Sequence, residues 1–138
     1  MWSSTHTVVS DLPAEVLWSR LVGVAGWPDW NRSLASASID GEFAVGATIR
    51  SLTKEGRSSA SRVVAVDDGR SFDDRTELGD VQVGVRHEIT QAGPHTVVTF
   101  RIEVSGEDAE QIGRALSVDL PTVLAHLVVV AAQEPTAR

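Results

Sequence analysis

EDAEQIGRALSVDLPTVLAHLVVVAA, residues 107–132, is a long stretch in which apolar side chains recur every three or four positions. That spacing is the period of one face of an α-helix. The apolar positions are Ala109, Ile112, Leu116, Leu120, Val123, Leu127 and Ala131. Acidic residues in the first turn, Glu107, Asp108 and Glu110, suit the positive end of the helix dipole. A helix of this length measures roughly 40 Å, which is enough to cover a whole sheet.

A proline interrupts this predicted helix. Pro121 has no backbone N–H to donate and its ring clashes with the preceding turn, so we expect a kink near residues 117–121. Beyond the kink, residues 127–132 are apolar all round. Such a segment is buried either in the core or on two sides, and a second copy of the chain could cover one of them. A homodimer is therefore one expectation.

Composition excludes several classes of protein. The chain has 138 residues, which we interpret as one domain, and its 42% apolar and 22% charged residues are ordinary for a soluble globular protein. A net charge of -7 argues against nucleic-acid binding, which needs a basic face. The absence of cysteine and tyrosine removes thiolate ligands, thiol nucleophiles and a phenolic acid from the chemistry.

The apolar segments also bear on location. The N-terminus lacks a charged segment followed by an apolar run, so we expect no signal peptide. The apolar run 127–132 is too short to span a bilayer, so we expect no stable membrane insertion. Together these features favour a cytoplasmic protein.

The remaining chain predicts strands and two short helices. A strand over residues 2–10 precedes a helix that begins near Asp11 and Pro13, with Asp11 or Ser10 as its cap. Residues 26–31 then predict a short second helix or a turn. Six further strands are predicted at 34–39, 48–53, 58–66, 71–78, 81–90 and 96–105. The short turns between them indicate an antiparallel meander.

These elements predict an α+β domain. An antiparallel sheet of about seven strands cannot bury its apolar face alone, and the long C-terminal helix is the available cover. We therefore expect a curved sheet wrapped around that helix, with the two short helices following the first strand.

Several segments carry a resemblance to a known superfamily. They are PAEVLW at 13–18, GWPDWN at 26–31, VRHEI at 85–89, TVV at 96–98, DLPT at 119–122 and LAHL at 124–127. With the order of elements, they resemble the START-like superfamily, also called SRPBCC or the birch-pollen-allergen-like helix-grip fold. Within it, the chain is most similar to bacterial polyketide cyclase/dehydrase-type proteins.

The resemblance implies a deep apolar cavity between the curved sheet and the final helix. Members of the superfamily bind lipids, hormones, polyketides or other apolar molecules, and some are cyclases or dehydratases. No catalytic motif is shared across the superfamily, so the resemblance assigns no catalytic residue here. A fold of this kind does not by itself specify a function.

His87 is the polar residue of most interest. It alternates with Val83, Val85 and Ile89 on one face of strand 81–90, which predicts that it points into the apolar side of the sheet. A histidine there could act as an acid or base near neutral pH, or orient a ligand oxygen. The alternative is a core histidine that hydrogen-bonds a neighbouring group and has no other role.

Asp74 is a second candidate, and its orientation is open. It shares a strand face with Phe72 and Leu78, and an inward carboxylate would be a pocket residue with a raised pKa. The alternative is a solvated Asp74, since Asp73 and Glu77 on the other face are equally polar. If both side chains point inward, Asp74 and His87 would form an acid/base pair.

Two tryptophans are expected near the ligand. Trp27 and Trp30 are three residues apart and share one side of a helical turn. They either line the mouth of the cavity or pin the short helix to the sheet. The other expected ligand-contacting residues are Phe72, Val83, Val85, Phe100, Leu116 and Leu120.

Two function classes follow. The first is a carrier or sensor that binds a hydrophobic small molecule in the cavity. The second is a cyclase or dehydratase type of enzyme that uses the same cavity, with His87 as acid/base. A protein-interaction role through the apolar end of the last helix is a third. We identify no cofactor, no metal motif among the histidines and no phosphate-binding loop.

Overall fold

The computed structural model describes residues 1–133. Its strands are β1 (Trp2–Ser10), β2 (Leu34–Ile39), β3 (Thr48–Thr53), β4 (Ser58–Asp67), β5 (Ser71–Leu78), β6 (Val81–Ala92) and β7 (His95–Ser105). Its α-helices are α1 (Ala14–Val22), α2 (Ala109–Ser117) and α3 (Leu120–Ala132), and a 3-10 helix spans Val24–Asp29.

The seven strands form one antiparallel sheet in the order β1-β7-β6-β5-β4-β3-β2. The sheet curls into a half-barrel, and the C-terminal helices lie against its concave face. The predicted α+β helix-grip fold is confirmed. Strand boundaries agree with the sequence pattern to within two residues, because period-two alternation and glycine turns mark them clearly.

The C-terminal helix differs from the prediction of one kinked element. It is two helices, separated by a break at Val118 and Asp119, with Pro121 in the first turn of α3. The break lies where the kink was expected, since a proline is tolerated in a first turn but not in a helix interior. The helical start is also later than expected, because Asp108 has a left-handed backbone (φ 59°).

The start of α1 corrects a second expectation. Pro13 occupies the N-cap position and no side chain caps the helix. Ser10 instead accepts a hydrogen bond from the backbone N–H of Leu12, at 3.0 Å from its Oγ, within the turn that precedes the helix. The predicted cap by Ser10 or Asp11 is therefore wrong, although the helix begins close to where it was expected.

One face of α3 closes the core. Its buried residues are Val123, Leu124, Leu127 and Ala131, which join a cluster that contains Leu17, Leu21, Phe72, Val98 and Phe100. Val129 is 52% exposed, so residues 127–132 are not buried on all sides. Leu116 is 44% exposed, because the break at 118–119 separates α2 from the face that α3 buries.

A glycine sets how closely α2 approaches the sheet. Gly113 is buried, and a Cβ added there would collide with the indole ring of Trp2 on β1. The missing side chain thus makes room for Trp2 between α2 and the sheet. In an exposed helix alanine would be favoured over glycine, but here the contact reverses that preference.

The segment Ala109–Ala132 is long and apolar enough to cross a membrane by length and composition, with a mean hydropathy of 1.9 in its most apolar part. Residues 127–132 thus belong to a longer apolar segment than the sequence pattern suggested. Leu124 and Leu127 pack against the sheet and are 1% and 0% exposed. Only 28% of the most apolar part of the segment is buried, and α3 is the part of it that closes the core.

We predict that Leu127→Ala lowers the free energy of unfolding by about 2–5 kcal/mol, because it removes a fully buried side chain from α3. Leu116→Ala is the matched control, since the same truncation on α2 affects a side chain that is 44% exposed. Urea denaturation of both variants measures the difference. Equal losses would contradict the assignment of the two side chains to core and surface.

Candidate functional site

Three rings form a row across the concave face of the sheet. Phe72 on β5, His87 on β6 and Phe100 on β7 are directly paired in the strand register. The imidazole of His87 stacks on Phe72 with centroids 4.0 Å apart and planes 9° apart. It meets Phe100 edge-on at 4.7 Å. The three side chains lie on the concave face, because alternate residues of a strand point to the same side of the sheet. His87 thus points inward, as predicted from its sequence position.

The 3-10 helix places two tryptophans against this row. The ring centroids of Trp27 and His87 are 6.4 Å apart in a stacked arrangement, and those of Trp30 and Phe100 are also 6.4 Å apart. The centroids of the two indoles are 6.0 Å apart. Trp27 donates its indole N–H to the backbone oxygen of Leu21, with 3.0 Å between the atoms. That bond and the ring contacts fix the orientation of Trp27.

Trp30 is held differently. Only 3% of its surface is exposed, and its indole Nε1 is buried without a hydrogen-bond acceptor in the described part of the chain. A buried N–H group without an acceptor costs roughly 1–3 kcal/mol. Buried donors normally have a partner, so this position calls for an acceptor that residues 1–133 do not supply.

His87 is a neutral imidazole at physiological pH. Burial lowers its pKa from 6.5 to about 4, and its hydrogen bond to the Phe72 backbone oxygen opposes that shift. The bond joins Nδ1 to the carbonyl over 3.2 Å, so the neutral ring carries its proton on Nδ1. Nε2 is then a lone-pair acceptor, and it makes no hydrogen bond within residues 1–133.

Asp74 is buried on the same face as Phe72, which settles its orientation. Its cross-strand neighbours are Val63 and Val85, and 7% of its surface is exposed. Burial raises its pKa from 3.8 to about 7, and the nearby charge of Asp73 raises it further. The carboxyl group makes no hydrogen bond or ion pair with any residue in 1–133.

Asp74 and His87 do not touch each other. Asp74 lies opposite Val85 and His87 lies opposite Phe72, so the two are diagonal neighbours on adjacent strands. Such neighbours have Cα atoms roughly 7–8 Å apart. The direct acid/base pair suggested by the sequence is absent among the described hydrogen bonds.

The expected ligand-contacting residues divide into three groups. Trp27, Trp30, Phe72 and Phe100 gather around His87, whereas Val83 and Val85 belong to a second apolar cluster beneath α2. Leu116 and Leu120 line a surface groove of about 200 Å³ at the helix break. Leu120 also packs on both apolar clusters, so it joins the groove to the interior.

Phe43 and Trp18 complete the ring cluster. The sequence pattern did not assign either of these two residues to a site. Phe43 meets Phe72 edge-on at 4.9 Å, and Trp18 meets it edge-on at 6.3 Å. Phe43 lies in the connection between β2 and β3, where no periodic pattern indicates which way a side chain points. Within residues 1–133 no group of three or more histidine or acidic residues could hold a metal ion.

The sheet, the gripping helix and the ring cluster define a START-like, helix-grip domain. A START superfamily protein from Mycobacterium smegmatis shares the fold with a TM-score of 0.73 and 18% identity, covering 95% of this chain and 97% of that one. Norcoclaurine synthase from Thalictrum flavum, solved with dopamine and hydroxybenzaldehyde, has a TM-score of 0.76 and 13% identity, covering 98% and 88%. A Mesorhizobium loti protein has a TM-score of 0.83 and 16% identity, covering 97% and 99%.

The family is also defined by sequence. Residues 1–131 match the family described as polyketide cyclase/dehydrase and lipid transport, and the chain belongs to that family. Comparison with curated proteins finds no match. The resemblance noted in the sequence is confirmed. The structural likenesses, all below 25% identity, establish the fold.

We predict opposite pH effects from the two buried groups. Between pH 3.8 and 7 folded Asp74 retains a proton that the unfolded chain releases, so its contribution lowers stability as pH rises. Between pH 4 and 6.5 the unfolded chain binds a proton that folded His87 excludes, so its contribution raises stability as pH rises.

Asp74→Asn should therefore stabilise the protein above pH 7 by roughly 1–4 kcal/mol, and the gain should shrink to nothing near pH 4. Urea denaturation at a series of pH values, with the exposed Asp68→Asn as control, measures it. A difference from wild type that does not change with pH would contradict a buried carboxyl group with a raised pKa.

Proposed function

We propose that the protein binds a hydrophobic small molecule that carries oxygen, between the concave sheet and α3, as a carrier or sensor, and that side chains move to admit it. A lipid, a polyketide or another aromatic compound fits this description. The family description, which names polyketide chemistry and lipid transport, supports a ligand-binding role. The rings of Phe72, Phe100, Trp27 and Trp30 would supply the apolar contact surface.

The observation that carries the proposal is the unpartnered indole N–H of Trp30 beside a neutral His87. Trp30 offers one hydrogen-bond donor, and Nε2 of His87 offers one acceptor, within an aromatic cluster. Neither group is charged at neutral pH, so both favour a neutral ligand. A carbonyl oxygen would pair with Trp30 and a hydroxyl group with His87.

The groove at the helix break is the proposed entrance. It is lined by Leu116, Leu120 and Val123 on one side and by residues 31–33, directly after Trp30, on the other. The ring cluster is closely packed, so the ligand would enter by displacing side chains around Leu120. A break between two helices permits such a movement more readily than a continuous helix would.

A second candidate is an enzyme of the cyclase or dehydratase type. It is favoured by one observation, namely that burial moves the pKa of Asp74 up to about 7 and that of His87 down to about 4. Environments that separate two pKa values in this way assign acid and base roles. Asp74 would then donate a proton and His87 would accept one, with the substrate between them.

We also propose that the protein acts in the cytoplasm, without nucleic acid as a partner. The net charge of -7 supports the latter point, because a phosphate backbone would be repelled. A homodimer could form through the exposed side of α3 at Val129. Binding of the small molecule does not require it.

The binding test uses native mass spectrometry of freshly purified protein, followed by calorimetric titration with fatty acids, flavonoids and aromatic polyketides. We predict saturable binding of at least one oxygenated compound. Trp30→Phe removes the indole N–H while keeping an aromatic ring, and should weaken that binding by about 0.5–1.5 kcal/mol. The same substitution should weaken the binding of a pure hydrocarbon by less.

Trp2→Phe is the matched control, because Trp2 packs against Gly113 of α2 and not in the ring cluster. Equal losses for the two tryptophan variants would place the ligand elsewhere, and failure of every compound to bind would defeat the proposal. Turnover of a bound polyketide that is abolished by Asp74→Asn while binding persists would favour the enzyme over the carrier.

A further inference from the structure

Two arginines oppose each other on the convex face of the sheet. Arg62 on β4 and Arg75 on β5 are directly paired in the register, and both are exposed. Like charges opposite one another destabilise a strand pair. The arrangement therefore costs stability unless a negative charge lies between the two guanidinium groups.

Neither arginine obtains that negative charge from the described part of the chain. Arg62 and Arg75 make no hydrogen bond or ion pair within residues 1–133. Other arginines on strands β3, β6 and β7 do have carboxylate partners: Arg50 with Asp40 at 3.0 Å, Arg86 with Asp73 at 3.5 Å, and Arg101 with Glu103 at 3.1 Å. On a chain with a net charge of -7, two adjacent unpaired cations are a local exception.

A groove of about 360 Å³ runs beside the pair. Its lining includes Thr48, Ala60, Arg62, Arg75, Glu77 and Gln82. Ala60 is a short side chain on β4, and Gly84, directly opposite Arg75 on β6, has none. The hydroxyl of Thr48 and the amide of Gln82 also make no hydrogen bond in residues 1–133, so they are further available donors.

We propose that this groove binds a singly charged oxyanion, a carboxylate or a phosphate diester, between Arg62 and Arg75. The planar guanidinium group presents paired N–H donors that match two oxygens of such a group. The site lies on the opposite face of the sheet from His87 and does not depend on the ligand proposed there.

The surrounding acids limit the charge of the ligand. Glu77 lines the same groove two residues beyond Arg75, and Asp73 lies two residues before it, already engaged with Arg86. These carboxylates would repel a second negative group. The site therefore favours one anionic head over a polyanion, which also separates it from a nucleic-acid surface.

The test is a titration of the full-length protein with acetate and with dimethyl phosphate, both singly charged, at constant ionic strength, followed by the backbone amide resonances of Arg62, Arg75 and Gly84. We expect saturating shifts at these positions. Arg75→Gln should weaken binding about tenfold, because hydrogen bonds to a charged group are the strong ones. Without added anion, the same variant should unfold at a higher temperature than wild type, since a like-charge contact is lost.

Arg101→Gln is the matched control, because Arg101 already pairs with Glu103. It should leave the titration unchanged. Shifts that rise linearly without saturation, or equal weakening by Arg101→Gln and Arg75→Gln, would overturn the proposal.

A second arm identifies the source of the head group. Phosphatidylcholine vesicles with and without phosphatidylglycerol, whose phosphodiester carries one negative charge, are sedimented with the protein. Arg75-dependent binding only to the vesicles that contain phosphatidylglycerol assigns the site to an anionic lipid head, whereas saturable binding of dimethyl phosphate or acetate without vesicle binding assigns it to a soluble anion. Failure of both arms would contradict the site.

Discussion

The contact on which the rest of the structure depends is the stack of His87 on Phe72, against which Trp27 and Trp18 pack. The two rings lie 4.0 Å apart, and Leu124 and Leu127 belong to the same closed core. A charged imidazolium could not remain there without a partner, because burial disfavours the charged form. Neutrality of His87 is thus a condition of burying its ring between Phe72 and Phe100. The chemistry of the concave face follows from it: one acceptor nitrogen, one indole donor and a carboxyl group whose pKa is near 7.

The two faces of the sheet therefore carry different chemistry. On the concave face polar groups are few. They are uncharged, or titrate near neutral pH, because burial among apolar side chains disfavours the charged form of each group. On the convex face charges are exposed and most arginines have carboxylate partners. A β-bulge between Val63 and Ala65 divides β4 into two registers. If the register of residues 65–67 continued along β4 with no bulge, Arg62 would lie opposite Thr76 and point to the other face. The bulge thus determines which side chains reach the convex groove.

Much of this fold was predictable from the sequence because its signals are local. Alternation in β6 indicated that His87 points inward, and Pro121 indicated the break in the C-terminal helix. Asp74 could not be oriented, since polar residues on both faces of β5 give no hydrophobic contrast. Leu116 was expected on the buried face of the helix but is 44% exposed, because its regular spacing to Leu120 does not show that the two residues lie on different helices. The missing acceptor for Trp30 and the opposition of Arg62 and Arg75 depend on three-dimensional contacts, which no local pattern encodes.

The central claim is that the helix-covered concave face is a ligand site. It is tested most directly by following the four indole N–H resonances while the protein is titrated with a flavonoid. We expect a saturable downfield shift of the Trp30 resonance, because its N–H gains an acceptor. Trp27, already bonded to Leu21, should move less, and Trp2 should not move. A bound ligand that leaves the Trp30 resonance in place, or that moves Trp2 instead, would contradict it.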